Sequence, residues 1–296
     1  MKKREQDKIL RHLMVPEGRK VSLGKDYDPC AKLAKMTKQD AKEKLAEGVK
    51  LLAEYQDKLY AQDIYGVLII FQAMDAAGKD GAIKHVMSGL NPQGTQVTSF
   101  KSPSSEELDH DYLWRCFKAL PERGHIGIFN RSYYEEVLVV RVHPEFLEKQ
   151  KLPPEARGKK LWQHRFDEIN NFEKYLTRNG IVVLKFFLNV SREEQKRRFL
   201  ERIDRADKNW KFSVADAKER GYWNDYMKAY EDCLSNTSTK YAPWYVIPAD
   251  DKPLARLAVA FVIHERLKEL GLKYPKVSDE QKQRLAEIAV SLNSEK

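Results

Sequence analysis

The chain has 296 residues, 42% of them hydrophobic and 33% charged, a balance that suits one large folded core or two smaller ones and excludes disorder throughout. No apolar run reaches the roughly 18 to 20 residues that cross a bilayer, and Met1-Lys2-Lys3-Arg4-Glu5 leads into no apolar signal segment, so the sequence reads as neither membrane-spanning nor secreted. Lys and Arg number 53 against 44 Asp and Glu, a formal +9 that favours a polyanionic partner. Cys30, Cys116 and Cys233 have no ligand spacing, so neither a zinc site nor a disulfide framework is indicated and a reducing cytoplasm fits best.

The first sixty residues are basic: a Pro/Gly/Asp-containing stretch, Val15 to Pro29, precedes a helix from Lys38 to Tyr60, and together they form an accessory arm. Beyond it, β-rich apolar runs alternate with helical stretches, the pattern of a parallel α/β sheet. The strands are Ile64 to Phe71, Thr95 to Phe100, His125 to Phe129, Ile181 to Leu188 and Trp244 to Ile247. The first and fourth are nearly continuous apolar runs, so they should lie at the centre, covered on both faces. Helices are predicted over Lys79 to Leu90, Glu106 to Lys118, Leu161 to Arg178, Ser191 to Ile203, Asp216 to Leu234 and Pro253 to Leu270. Ser191 and Glu194 suit a capping box, and Gly180 suits the end of the third of these helices. Lys151 to Lys160 is a loop, and residues after Tyr274 form a polar, charged tail. The organisation is an arm and helix over 1–60, a core over 61–274 with a lid near 192–222, and a tail over 275–296.

Directly after the first strand comes Gln72-Ala73-Met74-Asp75-Ala76-Ala77-Gly78-Lys79-Asp80-Gly81, which resembles a P-loop. Small residues let a strand-to-helix turn present backbone N–H groups to phosphate oxygens. The helix N-terminus adds its dipole, and Lys79 adds a mobile cation. Ala73 replaces the usual first glycine, and Asp80 stands where a magnesium-binding Ser or Thr normally follows the lysine. A tight corner built on Gly78 would account for the same turn.

The third strand ends in Asn130-Arg131-Ser132-Tyr133-Tyr134-Glu135, and ligands of open α/β sheets bind beyond the carboxyl ends of strands, so Asn130 and Arg131 should sit beside the loop. Asn130 offers a neutral oxygen where a Walker B acid would be expected, while Asp75 and Glu135 could supply the negative charge a hard cation needs. Glu136 reads as a helix-start acid. After the fourth strand runs Lys196, Arg197, Arg198, Arg202, Arg205, Lys208 and Lys211. Arg198 and Arg202, four apart, share a helix face from which they could clamp a phosphoryl group, although Glu193, Glu194 and Glu201 are available as intrahelical partners. The seven histidines form no ligand pair, and no G-x-S-x-G elbow or RNA-binding signature is present.

The Asp75-Ala76-Ala77-Gly78-Lys79 loop, Phe129-Asn130-Arg131-Ser132-Tyr133-Tyr134, the run from Ile203-Asp204 through Trp210-Lys211-Phe212, Thr237-Ser238-Thr239, Ala242-Pro243-Trp244 and Ile247-Pro248-Ala249-Asp250 together resemble the polyphosphate kinase 2 family over roughly Lys25 to Leu270. The resemblance implies a P-loop kinase fold related to thymidylate kinase: a three-layer α/β sandwich with a five-stranded parallel sheet and a helical lid. It implies transfer of phosphoryl groups between inorganic polyphosphate and nucleotides with Mg2+, and a homodimer or homotetramer. By position, Asp75 and Lys79 match the family's essential loop acid and lysine, Arg131 its post-strand arginine, and Arg198 and Arg202 its lid arginines. Ala76, Ala77, Gly78, Asp80, Gly81, Asn130, Lys208 and Lys211 join Lys79 and Arg131 as phosphate- or nucleotide-binding positions, and Asp75, Asn130 and Glu135 are the metal positions. Asparagine at 130 matches the branch called class III, which is associated with phosphorylating both AMP and ADP, giving ADP and ATP; guanine nucleotides remain open as further acceptors. An ATP-dependent kinase and a non-catalytic nucleic-acid-binding protein are the competing classes, separated by donor preference and by salt-dependent binding without transfer.

Overall fold

In the computed structural model of the chain, residues 3–33, 36–211 and 214–295 are described. Helix α1 (Lys3–Leu13) and helix α2 (Lys38–Gln62) precede β1 (Gly66–Ala73), α3 (Lys79–Val86), β2 (Thr95–Ser99) and β3 (Ile126–Asn130). There follow α4 (Leu161–Arg178), β4 (Ile181–Asn189), α5 (Arg192–Asp204), α6 (Val214–Glu219), α7 (Trp223–Thr237), β5 (Trp244–Pro248), α8 (Lys252–Glu269) and α9 (Asp279–Ser294). All strand pairs are parallel, in the order β2-β3-β1-β4-β5. Every residue of β1 is buried, as its unbroken apolar run demands of a central strand, whereas β2 at one edge is largely exposed.

Strand alternation assigns the layers. Lys185, Phe187 and Trp244 point to one face, where they meet Glu173 of α4, Tyr230 of α7 and Tyr134. Phe71, Phe186 and Tyr245 stack on the opposite face, beneath α8, which also packs on α2 and α3. The result is the three-layer α/β sandwich. No described helix is long and apolar enough to cross a membrane.

The expected helices differ from the observed ones where local chemistry intervenes. Glu106 to Lys118 is not one helix but two single turns, Ser105–Leu108 and Trp114–Phe117, because the Asp111 carboxylate accepts the Leu113 N–H and closes an Asx turn between them. Asp216 to Leu234 breaks at a 3-10 turn, Arg220–Tyr222, centred on Gly221. Helix α3 stops at Val86 rather than Leu90, and Gly89 then packs so closely on α2 that a Cβ there would lie 2.5 Å from Val49 Cγ1. At Ser191 only half of the capping box forms: its hydroxyl accepts the Glu194 N–H, while the Glu194 carboxylate turns to Arg197 and Arg198. The tail contains the exposed helix α9, begun by a Ser278/Gln281 capping box.

The arm covers the β5 edge. Met14 bridges Tyr245, Val15 N–H donates to the Trp244 carbonyl, and Leu13, Val15, Val21, Leu23 and Tyr27 are buried. Its far end reaches the carboxyl end of the sheet, where Asn189 donates to the Tyr27 carbonyl and Asp250 N–H to that of Pro29. An edge that would otherwise present open backbone groups is thereby paired.

Candidate active site

The loop between β1 and α3 crosses the carboxyl end of the sheet with Ala76 at φ 59° and Gly78 at φ 110°. Glycine accepts that backbone without cost, whereas alanine does so only where neighbours hold it. Helix α5 does the holding. Gln195 Nε2 donates to the Asp75 carbonyl at 3.0 Å, and Arg198 NH1 donates to those of Ala76 and Ala77 at 3.0 and 2.7 Å. Three consecutive carbonyls thus face α5. Since C=O and N–H point opposite ways across a trans peptide, the amides of Ala76 and Gly78 face away from α5. Among the described residues, the amides of Ala76, Gly78, Lys79 and Asp80 make no hydrogen bond, and such successive free N–H groups at a helix start form an anion-binding concavity.

Lys79 is half-buried rather than a mobile cation: its ammonium donates to the Ala73 carbonyl at 2.9 Å. Burial lowers its pKa, the neighbouring Arg131 lowers it further, and Asp75 and Glu135 oppose them. Asp80 accepts from Asn130 Nδ2 at 2.9 Å, so the residue that replaces the usual Ser or Thr holds the end of β3.

Arg131 turns sharply out of β3 at φ 65°, its N–H donating to the Phe71 carbonyl of β1. That turn places its guanidinium between two carboxylates, 3.1 Å from Asp75 Oδ1 and 3.5 Å from Glu135 Oε2. Burial raises the pKa of Glu135 despite Arg131 and Lys79, while Glu135 is the main cause that raises that of Arg131. Beneath them the Gln72 amide, oriented with nitrogen toward Glu135 Oε1 at 2.7 Å, accepts the Ser132 N–H and hydroxyl on its oxygen. Gln72 is fully buried, and a polar residue among the apolar ones of β1 was the signal available in the sequence.

Asp75, Lys79, Arg131 and Glu135 therefore meet at the ends of β1 and β3, with Asn130 and Asp80 adjoining. Arg198 lies behind the loop, 3% exposed, with its remaining donors on Glu194 and on the Ala249 and Asp250 carbonyls. In this structure it shapes the loop instead of projecting into open space. Arg202 lies over the Phe199 ring, and Lys208 pairs with Glu201 at 2.8 Å. The side chain of Lys211 lies outside the described residues. Glu136 is not a simple helix-start acid: it is buried, pairs with Arg165 at 3.0 Å and accepts from Gln150.

A cleft of about 440 Å3 opens on Asp75, Arg131 and Glu135, walled by Phe100, Arg115, Val139 and Phe146; this volume suits a nucleotide-sized ligand. The oxygens of Asp75, Glu135, Asn130 and Asp80 suit a hard divalent cation. The described residues contain no group of three His, Cys, Asp or Glu arranged to enclose a metal, so such an ion would need phosphate and water oxygens, as Mg2+ usually does.

Fold and site together define a P-loop phosphotransferase. The family profile described as Polyphosphate kinase 2 (PPK2) matches residues 35–275. The "ADP-polyphosphate phosphotransferase" of Rhodopseudomonas palustris is 52% identical over 282 residues, which cover 94% of this chain and 96% of that one. The "AMP/ADP-polyphosphate phosphotransferase" of Meiothermus ruber is 44% identical over 238 residues, 80% and 85% of the two chains. The crystal structure of Polyphosphate Kinase 2 from Arthrobacter aurescens TC1 matches with a TM-score of 0.86 at 40% identity, covering 95% of each chain. The chain belongs to the polyphosphate kinase 2 family and has the P-loop kinase fold.

Proposed function

We propose that the protein transfers the terminal phosphoryl group of inorganic polyphosphate to AMP and to ADP, forming ADP and ATP, and that guanine nucleotides serve as further acceptors. The gathering of Lys79 on the Ala73 carbonyl and Arg131 on Asp75, beside the free amides of the same loop and at a nucleotide-sized cleft lined by Ala73, Asp75 and Arg131, carries this reading. The acceptor's terminal phosphate oxygen attacks the terminal phosphorus of the chain in line. The bond to the penultimate unit breaks, and the polymer leaves one unit shorter. The attacking oxygen is already anionic, so positioning and charge neutralisation supply the catalysis without a general base. Lys79 and the loop amides hold the transferred group, and Arg131 offsets the charge that accumulates between donor and acceptor. Mg2+ would be held by Asp75, with Asn130 and Glu135, and would neutralise phosphate oxygens.

The donor's remaining units need further cations. Arg256 on α8 lies over the first turn of α3, its NH2 3.2 Å from where a Gly81 Cβ would be, and Lys252 begins α8. Neither has a hydrogen bond or ion pair among the described residues. Burial and the Arg198 charge lower the pKa of both. The Glu201 charge offsets Lys252 in part, but neither cation is directly paired, and half-buried unpaired cations beside a phosphate loop suit a polyanion.

The test is an ATP-free mixture of long-chain polyphosphate, magnesium and either AMP or ADP. ADP and ATP should appear in turn. No product from either acceptor rejects the reading, and ATP replacing polyphosphate at similar kcat/KM would favour an ordinary nucleotide kinase. The same reading takes the enzyme as cytoplasmic and as a homodimer or homotetramer, which sedimentation of the purified chain checks.

A further inference from the structure

Gln195 is 1% exposed, and both ends of its amide are used. Its nitrogen holds the Asp75 carbonyl at 3.0 Å, and its oxygen accepts from Arg220 NH1 at 2.8 Å. Arg220 opens the 3-10 turn that follows α6, and the same NH1 also donates to the Arg192 carbonyl at the start of α5. Its neighbour Glu219, the last residue of α6, accepts from the Tyr226 hydroxyl at 2.7 Å and faces His143 Nε2 at 2.9 Å. His143 stands at the junction of two short helices on the cleft wall, with Glu145 on its other nitrogen side at 3.3 Å. The end of α6 and the turn after it are thereby tied in two directions, through Arg220 and Gln195 to the 75–80 loop and through Glu219 to His143 beside the cleft.

We infer that Gln195 is a positioning residue that transmits the placement of the turn after α6, through Arg220, to the Asp75–Ala76 peptide. The inference rests on the phosphotransferase reading for its effect on catalysis, but not for the coupling itself. Rotation of that peptide would turn the Asp75 carbonyl away from Gln195 and, because the peptide is planar and trans, would swing the Ala76 N–H off the phosphate side. Ala76 already has a backbone conformation that alanine rarely adopts, so the peptide keeps its orientation only while its carbonyl has a partner. Arg220 fixes which way round the amide of Gln195 sits, since its guanidinium can only donate, takes the amide oxygen as its acceptor and leaves the nitrogen to donate to Asp75.

Two measurements test this. In amide proton–nitrogen spectra, Arg220→Ala should move the Ala76 cross-peak, although the two residues do not touch; a cross-peak at its wild-type position overturns the coupling whatever the enzyme's activity. In kinetics, Gln195→Glu keeps an acceptor for Arg220 and loses the donor to Asp75. Its kcat should fall ~10-fold or more, with KM for ADP rising less. The Gln195→Ala/Arg220→Ala double variant should be no slower than Gln195→Ala alone, because both act through one contact chain. Wild-type kcat in Gln195→Glu, or losses that multiply in the double variant, would overturn the proposal. Should Gln195→Ala fail to fold, Arg220→Ala and Gln195→Glu still decide it. A wild-type protein that makes no product from polyphosphate would refute the functional reading while leaving the spectral test intact.

Discussion

Two clusters in this molecule are built from the same parts, a cation among carboxylates and tyrosines, and they differ in what is left over. Lys185 in the middle of β4 is fully buried, and its three N–H donors go to Glu173 Oε2 at 2.6 Å, the Thr237 carbonyl at 2.7 Å and the Tyr134 hydroxyl at 2.9 Å. The other Glu173 oxygen takes the hydroxyls of Tyr133 and Tyr134. Arg131, just past the end of β3 two strands away, is 40% exposed and meets Asp75 and Glu135 with two of its nitrogens only. A saturated cluster can do nothing but hold the sheet to α4 and α7. An unsaturated one beside a cleft has donors to spend on a substrate.

The contrast is sharpened most by removing each cation. Arg131→Ala should cut phosphoryl transfer by ~10^3-fold or more, the range for an arginine that offsets charge in phosphoryl transfer, with circular dichroism and melting temperature close to wild type. Lys79→Ala and Asp75→Ala should behave alike. If any of these variants unfolds instead, the cleft cluster is structural like its buried counterpart.

Next comes the mirror experiment. Lys185→Met leaves Glu173 buried without its cation and should destabilise the fold by about 3 kcal/mol or more, read from denaturant midpoints. Lys185→Met combined with Glu173→Leu should recover much of that loss, because a buried pair contributes little beyond its own desolvation cost. A single variant as stable as wild type would mean that water reaches this cluster, and the comparison would fail.

The sheet and the loop were legible in the sequence because periodicity and strand-to-helix punctuation are local. So was the meeting of Asp75, Lys79, Arg131 and Glu135, since strand ends in a parallel sheet fall along one edge. What could not be read was where each cation points. Arg198 and Arg202 share a spacing, yet one is sealed behind the loop by four carbonyls and Glu194 while the other lies on the Phe199 ring, and only the path of the Ala249–Asp250 segment decides between them. Arg256 and Lys252 escaped for the converse reason: α8 read as an ordinary packing helix, and nothing local announces that its first turn abuts α3. Lys185 was hidden as a lone charge in an apolar run, because its partners come from α4, α7 and the turn after β3.

A smaller effect concerns cations that neither cluster contains. Arg256→Gln with Lys252→Gln should raise KM for long-chain polyphosphate by ~10-fold and affect tripolyphosphate much less, since a short donor ends before it reaches them. The slope of log affinity against log salt should fall by about one per cation removed, as for other polyanions. Equal effects on both donors would place these residues at the reacting end of the chain.

The smallest effect separates the two lysines by how their charge is defended. Burial and Arg131 both lower the pKa of Lys79, so its ammonium loses its proton below the usual lysine value, and tripolyphosphate affinity should fall as pH rises through that point. Asp75→Asn removes a charge that holds the proton on and should move the fall to lower pH. Arg131→Gln removes a repelling charge and should move it to higher pH. Lys79→Arg should abolish the fall, because a guanidinium keeps its proton throughout. Lys185 is also lowered by burial but is locked to Glu173 and makes no contact with the cleft, so Lys185→Arg should leave the affinity profile in place even where it costs stability. Calorimetric titration across alkaline pH measures all four, and displacement of the profile in the same direction by Asp75→Asn and Arg131→Gln would show that the titrating group is not Lys79.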